Sequence, residues 1–292
     1  MQLFQQIVDG IASGSIYGAL ALALVLVYRS TGLVNFSQGQ MAVVAAYIAY
    51  SASNAGLPIV AAVVVAALAS AVLGAFLERA VMRRFEAGSQ LVTIVVTVAL
   101  LICLNGLVSL IWGADMKSFP ALFPTRDLAI GSVRFTMADL GTIAVLVVVI
   151  VVLKLLFQRT RFGLAMRAVA QNPESSAQSG LPVGRLLMSG WALAAVVGAV
   201  ACCLVAPTIS LEPNMMDGVL VYALAAAVLG GLDSPLGSVA AAWGIGIAQN
   251  LVGSSLDFIG SDLQIVVPMV LMGVVLLVRP QGLFGRREVA RV

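Results

Sequence analysis

Eight polar side chains interrupt the apolar runs of this 292-residue sequence: Asn35, Ser37, Gln38, Gln40, Asn105, Gln249, Asn250 and Gln264. Inside a bilayer each is costly unless it is paired or faces a cavity. None carries a charge, so the chemistry open to them is hydrogen bonding. The partner is either a neighbouring helix, which is the commoner use, or a neutral or zwitterionic solute. Carriers driven by protons or sodium usually place Asp, Glu or His within their spans, and here the acidic residues fall at or near loop edges. Intrinsic ion coupling is therefore disfavoured, although the backbone carbonyls of a broken helix could hold sodium without a carboxylate.

Other chemistries lack their parts. The sequence has no His, and its three cysteines, Cys103, Cys202 and Cys203, stand in apolar runs without ligand spacing, so we expect small buried side chains, no metal site and no cofactor bound by this chain. Its two lysines, Lys117 and Lys154, do not follow a glycine, which rules out the Gly-x4-Gly-Lys phosphate loop. There is no Gly-x-Ser-x-Gly elbow, and without His no Ser-His-Asp triad can form. We expect no catalytic residues, and if transport is active its energy must come from another subunit.

The elements that position the amides follow from composition. Hydrophobic residues make up 61% of the chain and charged residues 10%, against roughly 25% charged in a soluble domain. Since a spanning helix needs about 20 mostly apolar residues, spans are predicted near Ile7 to Tyr28, Val34 to Ala52, Pro58 to Leu77, Leu91 to Trp112, Leu140 to Phe157, Leu187 to Pro207, Gly218 to Leu232, Leu236 to Val252 and Leu263 to Val278. Gly-Gly and Ser-Pro between Gly230 and Gly237 leave a broken or re-entrant element open there. The fold class expected is all-α, a polytopic transmembrane helical bundle of about 8–10 spans. One transmembrane domain would cover residues 1–292.

Charge orients this set, because Lys and Arg concentrate in cytoplasmic loops. Placing Arg29, Arg79 to Arg84, Arg159 to Arg185 and Arg279 to Arg291 inside leaves only Lys117, Arg126 and Arg134 outside, in one longer loop that also holds Asp115, Asp127 and Asp139. The N-terminus is then external and the C-terminus cytoplasmic. The first apolar run is followed, not preceded, by its arginine, the reverse of a signal peptide, so we read it as a retained span of a bacterial inner-membrane protein. Small residues four apart mark helix contact faces in lipid. Gly10, Gly14 and Gly18 make one such stripe, and Gly190, Ala194 and Gly198 a second.

Four segments carry more information together than singly. They are Gly32-Leu33-Val34-Asn35-Phe36-Ser37-Gln38-Gly39-Gln40, a polar break between spans, and the cytoplasmic stretch from Arg159 through Asn172-Pro173-Glu174 to Gly180-Leu181. Then come Val228-Leu229-Gly230-Gly231-Leu232-Asp233-Ser234-Pro235-Leu236-Gly237 and Arg279-Pro280-Gln281-Gly282-Leu283-Phe284-Gly285-Arg286. In this order and at these depths, over nearly the whole chain, the sequence resembles the inner-membrane permeases of branched-chain amino acid importers of the ATP-binding cassette (ABC) type, in the shorter of that family's two permease forms.

The resemblance implies a single permease domain working with a second permease subunit as a heterodimer, two ATP-binding subunits and an external solute-binding protein, in contact with membrane lipid and with no nucleic-acid partner. It implies that Arg167, Ala168, Val169, Asn172 and Gly180 belong to a coupling segment docked on the ATPase. Ala168, Val169, Ala170 and Ala177 would face a partner groove, and Arg167, Gln171, Asn172 and Glu174 would be exposed. By the same resemblance Asn35, Ser37, Gln38, Gly39 and Gln40 lie near the solute's path. The sequence departs from the family where Gln40 replaces a common acidic residue and where Asp233 replaces a frequent glycine. The cargo stays open among branched-chain amino acids, other amino acids, urea and short amides. Two readings from other classes remain beside it: a self-contained secondary carrier or channel for a small neutral solute, and a structural or assembly subunit without a transport role. The missing intramembrane charge argues against a carrier, and the cytoplasmic docking segment argues against both.

Overall fold

Backbone N–H and C=O groups facing lipid must be satisfied within their own segment, so the apolar runs fold as helices. In the computed structural model, which describes residues 2–85, 89–124, 126–130, 133–255, 266–279 and 281–285, these are α1 (Gln2–Thr31), α2 (Gln38–Asn54), α3 (Ile59–Ala80), α4 (Gln90–Trp112), α5 (Met137–Arg159), α6 (Arg161–Gln171), α7 (Pro173–Gln178), α8 (Val183–Ile209), α9 (Met215–Gly230), α10 (Pro235–Ser255) and α11 (Val266–Val278). Among the described residues, six helices are long and apolar enough to cross a membrane: α1, α3, α4, α5, α8 and α10. The apolar α9 and α11 are shorter. Every run predicted as a span contains one helix. The interrupted stretch between Gly230 and Gly237 is two separate helices, α9 and α10, joined by a tight turn. Ser234 starts α10 by accepting a hydrogen bond from Gly237 N at 3.1 Å, with Pro235 at the first helical position.

The loop between α4 and α5 carries a feature that hydropathy does not predict, an antiparallel hairpin of β1 (Asp127–Ile130) and β2 (Val133–Thr136) with Asp127 opposite Thr136. Gln264, Pro280, Arg286 and the predicted start of the last span at Leu263 lie outside the described residues.

The chain divides into two compact units, Met1–Val25 with Thr125–Leu146 and Gly218–Val292, and Leu26–Pro124 with Val147–Asp217. The first unit is built on contact between α1 and α10. A methyl at Gly14 would come 2.7 Å from Trp243 Cα, and one at Gly10 2.6 Å from Ile247 Cα, so only glycine lets these backbones touch. Polar groups beside this seam are paired within it. Tyr17 Oη donates to Gln249 Oε1 at 3.0 Å, Trp243 Nε1 donates to Ser15 Oγ at 2.9 Å, and the Tyr17 and Tyr222 rings stack at 4.6 Å. Asn250 Nδ2 donates within its own helix to Gly246 O at 3.1 Å. The third and fourth sequence motifs meet in this unit: Leu283 N donates to Leu229 O at 2.7 Å, next to Gly231 and Gly282, both at positive φ (94° and 79°).

The second unit surrounds α2, whose side chains from Gln38 to Val43 are buried, as are Ala45, Ala46, Tyr47 and Ala49. α3 lies on α8 where Gly74 abuts the Trp191 carbonyl. The second small-residue stripe packs on the chain around the break: Gly190 faces Ser30, and Gly198 faces the Gln38 amide.

Candidate functional site

The polar break is a wound turn. α1 ends at Thr31, Gly32 adopts φ 72°, and Asn35 then folds the chain into α2. Asn35 Oδ1 accepts from Ser37 N at 3.0 Å and from Ser37 Oγ at 2.7 Å, the Asx geometry that lets a short amide turn a backbone. Asn35 Nδ2 donates to Gln38 Oε1 at 3.3 Å, and Gln38 Nε2 donates to Ala194 O at 3.0 Å on α8. Asn35, Ser37 and Gln38 are fully buried, and these bonds tie them into the protein. Gly39 is buried between them and Gln40.

Gln40 sits differently. Its Nε2 donates to Pro213 O at 2.9 Å, while its Oε1 is buried without a hydrogen-bond partner. Asn105 of α4 joins the same group, donating through Nδ2 to Pro213 O at 3.2 Å and to Asn214 Oδ1 at 2.7 Å. Asn105 lies two turns inside the Trp112 end of α4, about 10 Å along the axis. The chain after α8 therefore dips to this depth before α9 begins at Met215. Sequence reasoning singled out Gln40 and Asn105 but missed Pro213 and Asn214, which read as loop residues. The one available signal was the short α9, whose start lies below the end of its neighbour.

At the other end of the second unit, α6 and α7 form the segment between α5 and α8. Thr160 caps α6 by accepting from Gly163 N at 3.0 Å. Asn172 ends α6 and caps α7, its Oδ1 accepting from Ser175 N at 2.9 Å with Pro173 next, and Gly180 at φ 82° closes the pair. Arg167, Ala170, Gln171, Asn172, Glu174, Ala177 and Gly180 are exposed, and Ala168 is partly buried. Val169 corrects the sequence reading. It is 1% exposed and packs with Met166, Leu186 and Leu187, so it anchors α6 on α8 and is not available to a partner.

An ion pair supports that anchor. Glu78, in the last turn of α3 with its side chain 0% exposed, takes Arg83 Nη2 at 2.7 Å and Nε at 3.1 Å. The same Nη2 donates to Gly184 O at 2.6 Å, in the first turn of α8. Sequence reasoning took Glu78 and Arg83 as loop-edge charges. Among the described residues no group of His, Cys, Asp and Glu is placed to hold a metal ion.

The family profile described as branched-chain amino acid transport system, permease component, matches residues 6–279. The chain belongs to that family. Over 302 residues it is 28% identical to the high-affinity branched-chain amino acid transport system permease protein BraD of Pseudomonas aeruginosa, covering 99% of this chain and 97% of that one. Its identity to the corresponding LivH protein of Escherichia coli K12 is 28% over 309 residues, covering 100% and 98%. Among solved structures it resembles a chain of PsaBC from Streptococcus pneumoniae in complex with Fab, at TM-score 0.48 and 14% identity over 95% of this chain and 91% of that one. The permease is a polytopic helical membrane protein and a transport subunit of an ABC importer, not an enzyme. ATP hydrolysis lies in separate subunits, and the permease works with other transporter components.

Proposed function

We propose that this permease moves branched-chain amino acids inward across a bacterial inner membrane by alternating access, paired with a second, longer permease and driven by two ATP-binding subunits. An external binding protein delivers the solute. The cargo reading is supported by the names of the relatives, each a branched-chain amino acid transport protein. The orientation, N-terminus outside and C-terminus cytoplasmic, is supported by the clustering of arginines in the loops assigned to the cytoplasm. In this reading ATP stays on the partner chains and this chain binds no cofactor.

The observation that carries the mechanism is the α6–α7 pair. It buries one face on α8 through Met166 and Val169 and leaves Arg167, Ala170, Gln171 and Asn172 outward. Closure of an ATPase pair against that outward face pushes α6 and α7 as a unit, because Asn172 and Gly180 fix their ends. Leu186 and Leu187 pass the movement into α8, the helix whose Ala194 carbonyl holds Gln38. Of the proposed path residues, Gln40 is the one with an unpartnered acceptor; Asn35, Ser37 and Gln38 set its position, with Gly39 buried between them. The coupling assignment is tested by replacing Arg167 with Glu, Ala168 with Asp and Asn172 with Ala in turn, and measuring ATP-driven leucine uptake in the assembled importer. Uptake is expected to fall at least tenfold in the Arg167→Glu variant with normal membrane insertion. Normal uptake in all three removes the assignment.

A further inference from the structure

Resting on that reading, we infer that residues 210–214, the strap between α8 and α9, are a gate on the solute's path, latched onto Gln40 in this structure and poised to swing about Ser210. Ser210 carries the strain. Its φ is 67° and its ψ 149°, and among the described residues it is the one positive-φ position that glycine does not fill. That region of backbone space is essentially reserved for glycine, so a serine stays there only where its surroundings fix it. Outliers of this kind gather at clamps and switches. The helix that leads into the strap is weak as well. Pro207 stands in the last turn of α8 and has no N–H to donate to the carbonyl of Cys203.

Two latches impose that strain. Leu211, buried and next after Ser210, exchanges both backbone hydrogen bonds with Lys117 of the loop after α4, each at 2.9 Å. Two residues on, Pro213 O accepts from Gln40 Nε2 at 2.9 Å and from Asn105 Nδ2 at 3.2 Å, and Asn214 Oδ1 accepts from the same Asn105 nitrogen at 2.7 Å. The latched state is costly a second time, on α2. Gln40 Oε1 and Tyr47 Oη, seven residues apart and so on one face of that helix, are both buried without a hydrogen-bond partner among the described residues. Buried polar atoms are almost always paired, and an exception can mark a store of strain. A few hydrogen bonds therefore hold the strap against its own backbone and beside an unpaired amide. Rotation of Ser210 to negative φ relieves the strain. Because Leu211 follows directly, that rotation breaks the Lys117 bridge first and then lifts Pro213 from Gln40.

The test uses the assembled importer with its binding protein in liposomes, and labelled leucine as probe. Lys117→Cys with Leu211→Cys puts a thiol on each side of the bridge, where residues that exchange both hydrogen bonds have Cα atoms about 5.5 Å apart, within disulfide reach. Oxidation of this pair with copper phenanthroline is expected to lower ATP-driven uptake at least tenfold, and dithiothreitol to restore at least half of the rate before oxidation. The natural protein, with Cys103, Cys202 and Cys203 free, is the oxidised control. Ser210 reads the same motion without a crosslink. Ser210→Gly removes the strain that favours opening and is expected to lower uptake at least threefold without lowering the melting temperature. Ser210→Ala keeps the Cβ and is expected to stay within twofold of the natural protein. Undiminished uptake by the crosslinked pair overturns the gate, and failure of the pair to crosslink overturns the latch on which it rests. Equal uptake by Ser210→Gly and the natural protein, or a lower melting temperature for Ser210→Gly, overturns the strain. A loss in Ser210→Ala as large as that in Ser210→Gly overturns it in favour of the hydroxyl. A wild-type complex that takes up no leucine under ATP overturns the importer reading itself, and the gate with it, whereas wild-type uptake that the crosslink leaves intact overturns the gate alone.

Discussion

Replacing Arg83 with Ala is expected to destabilise the permease by on the order of 3–5 kcal/mol, because it strands a buried carboxylate. Glu78 is 0% exposed, and Arg83 supplies all three of the hydrogen bonds that Glu78 accepts among the described residues. Arg83 is 37% exposed, so loss of Glu78 leaves a cation that can turn to water or headgroups, and the two single changes are unequal. Glu78→Ala is expected to cost less than Arg83→Ala. Removing both charges together, as Glu78→Gln with Arg83→Met, recovers most of the loss, since the penalty comes from the unpaired charge. Thermal melting of the detergent-purified permease checks this. A shift for Arg83→Ala under about 2 °C contradicts it. The pair also joins α3 to the first turn of α8 through Gly184 O, so Arg83→Ala should loosen the α6–α8 anchor and weaken coupling as well as stability.

Second in size is the glycine seam of α1 and α10. A methyl at Gly14 would sit 2.7 Å from both Ala242 O and Trp243 Cα, which are backbone atoms with no rotamer to relieve the clash. Gly14→Ala is expected to cost about 1–3 kcal/mol. Gly14→Leu is expected to give no monodisperse permease in detergent. Gly18 provides the internal control: there the nearest atom to an added methyl is Ala242 Cβ at 3.4 Å, so Gly18→Ala should be tolerated. Size-exclusion profiles of the three variants, expressed in parallel, read the result. A monodisperse Gly14→Leu protein contradicts the close backbone contact. Gly246 faces Gly10 and Gly14 across the seam and was not visible as their partner from the stripe alone.

The positions of the spans were legible because apolar runs of bilayer length leave the chain few alternatives to helix. The helix break at Gly230 to Gly237 was legible too, since Gly-Gly and Ser-Pro interrupt a helix within a few residues; that Asn172 and Ser234 cap the helices that follow came from the structure. Contacts between distant segments were not. Gln40 meets Pro213 across 173 residues of sequence, and no local pattern announces that the chain after α8 returns to the level of Asn105. Val169 was assigned outward because an amphipathic helix reveals which face is apolar, not which neighbour covers it; α8 covers it here. Glu78 was taken for a loop-edge charge because its position at the end of a span is compatible with solvent, and only its burial against Arg83 separates the two cases. The hairpin between α4 and α5 escaped because hydropathy that marks spans says nothing about short strands between them.

These contacts describe how force could pass through the second unit. The outward face of α6–α7 receives it, and Met166 and Val169 deliver it to α8. From α8 the Glu78–Arg83–Gly184 link engages α3, and the Ala194 carbonyl engages Gln38 at the start of α2. Two residues further along α2, Gln40 donates to Pro213 O, which Asn105 also bonds. A shift of α8 would thereby change the polar group proposed to meet the solute.

The most direct test of the central claim, that this permease works as one part of an ATP-driven importer, is to purify it tagged at native level in mild detergent and identify its companions by mass spectrometry. The account predicts recovery of two ATP-binding chains and a second permease, with leucine uptake that stops when ATP is withheld. Recovery of the chain alone, even after mild crosslinking in the membrane, together with leucine uptake that needs no ATP, would contradict it.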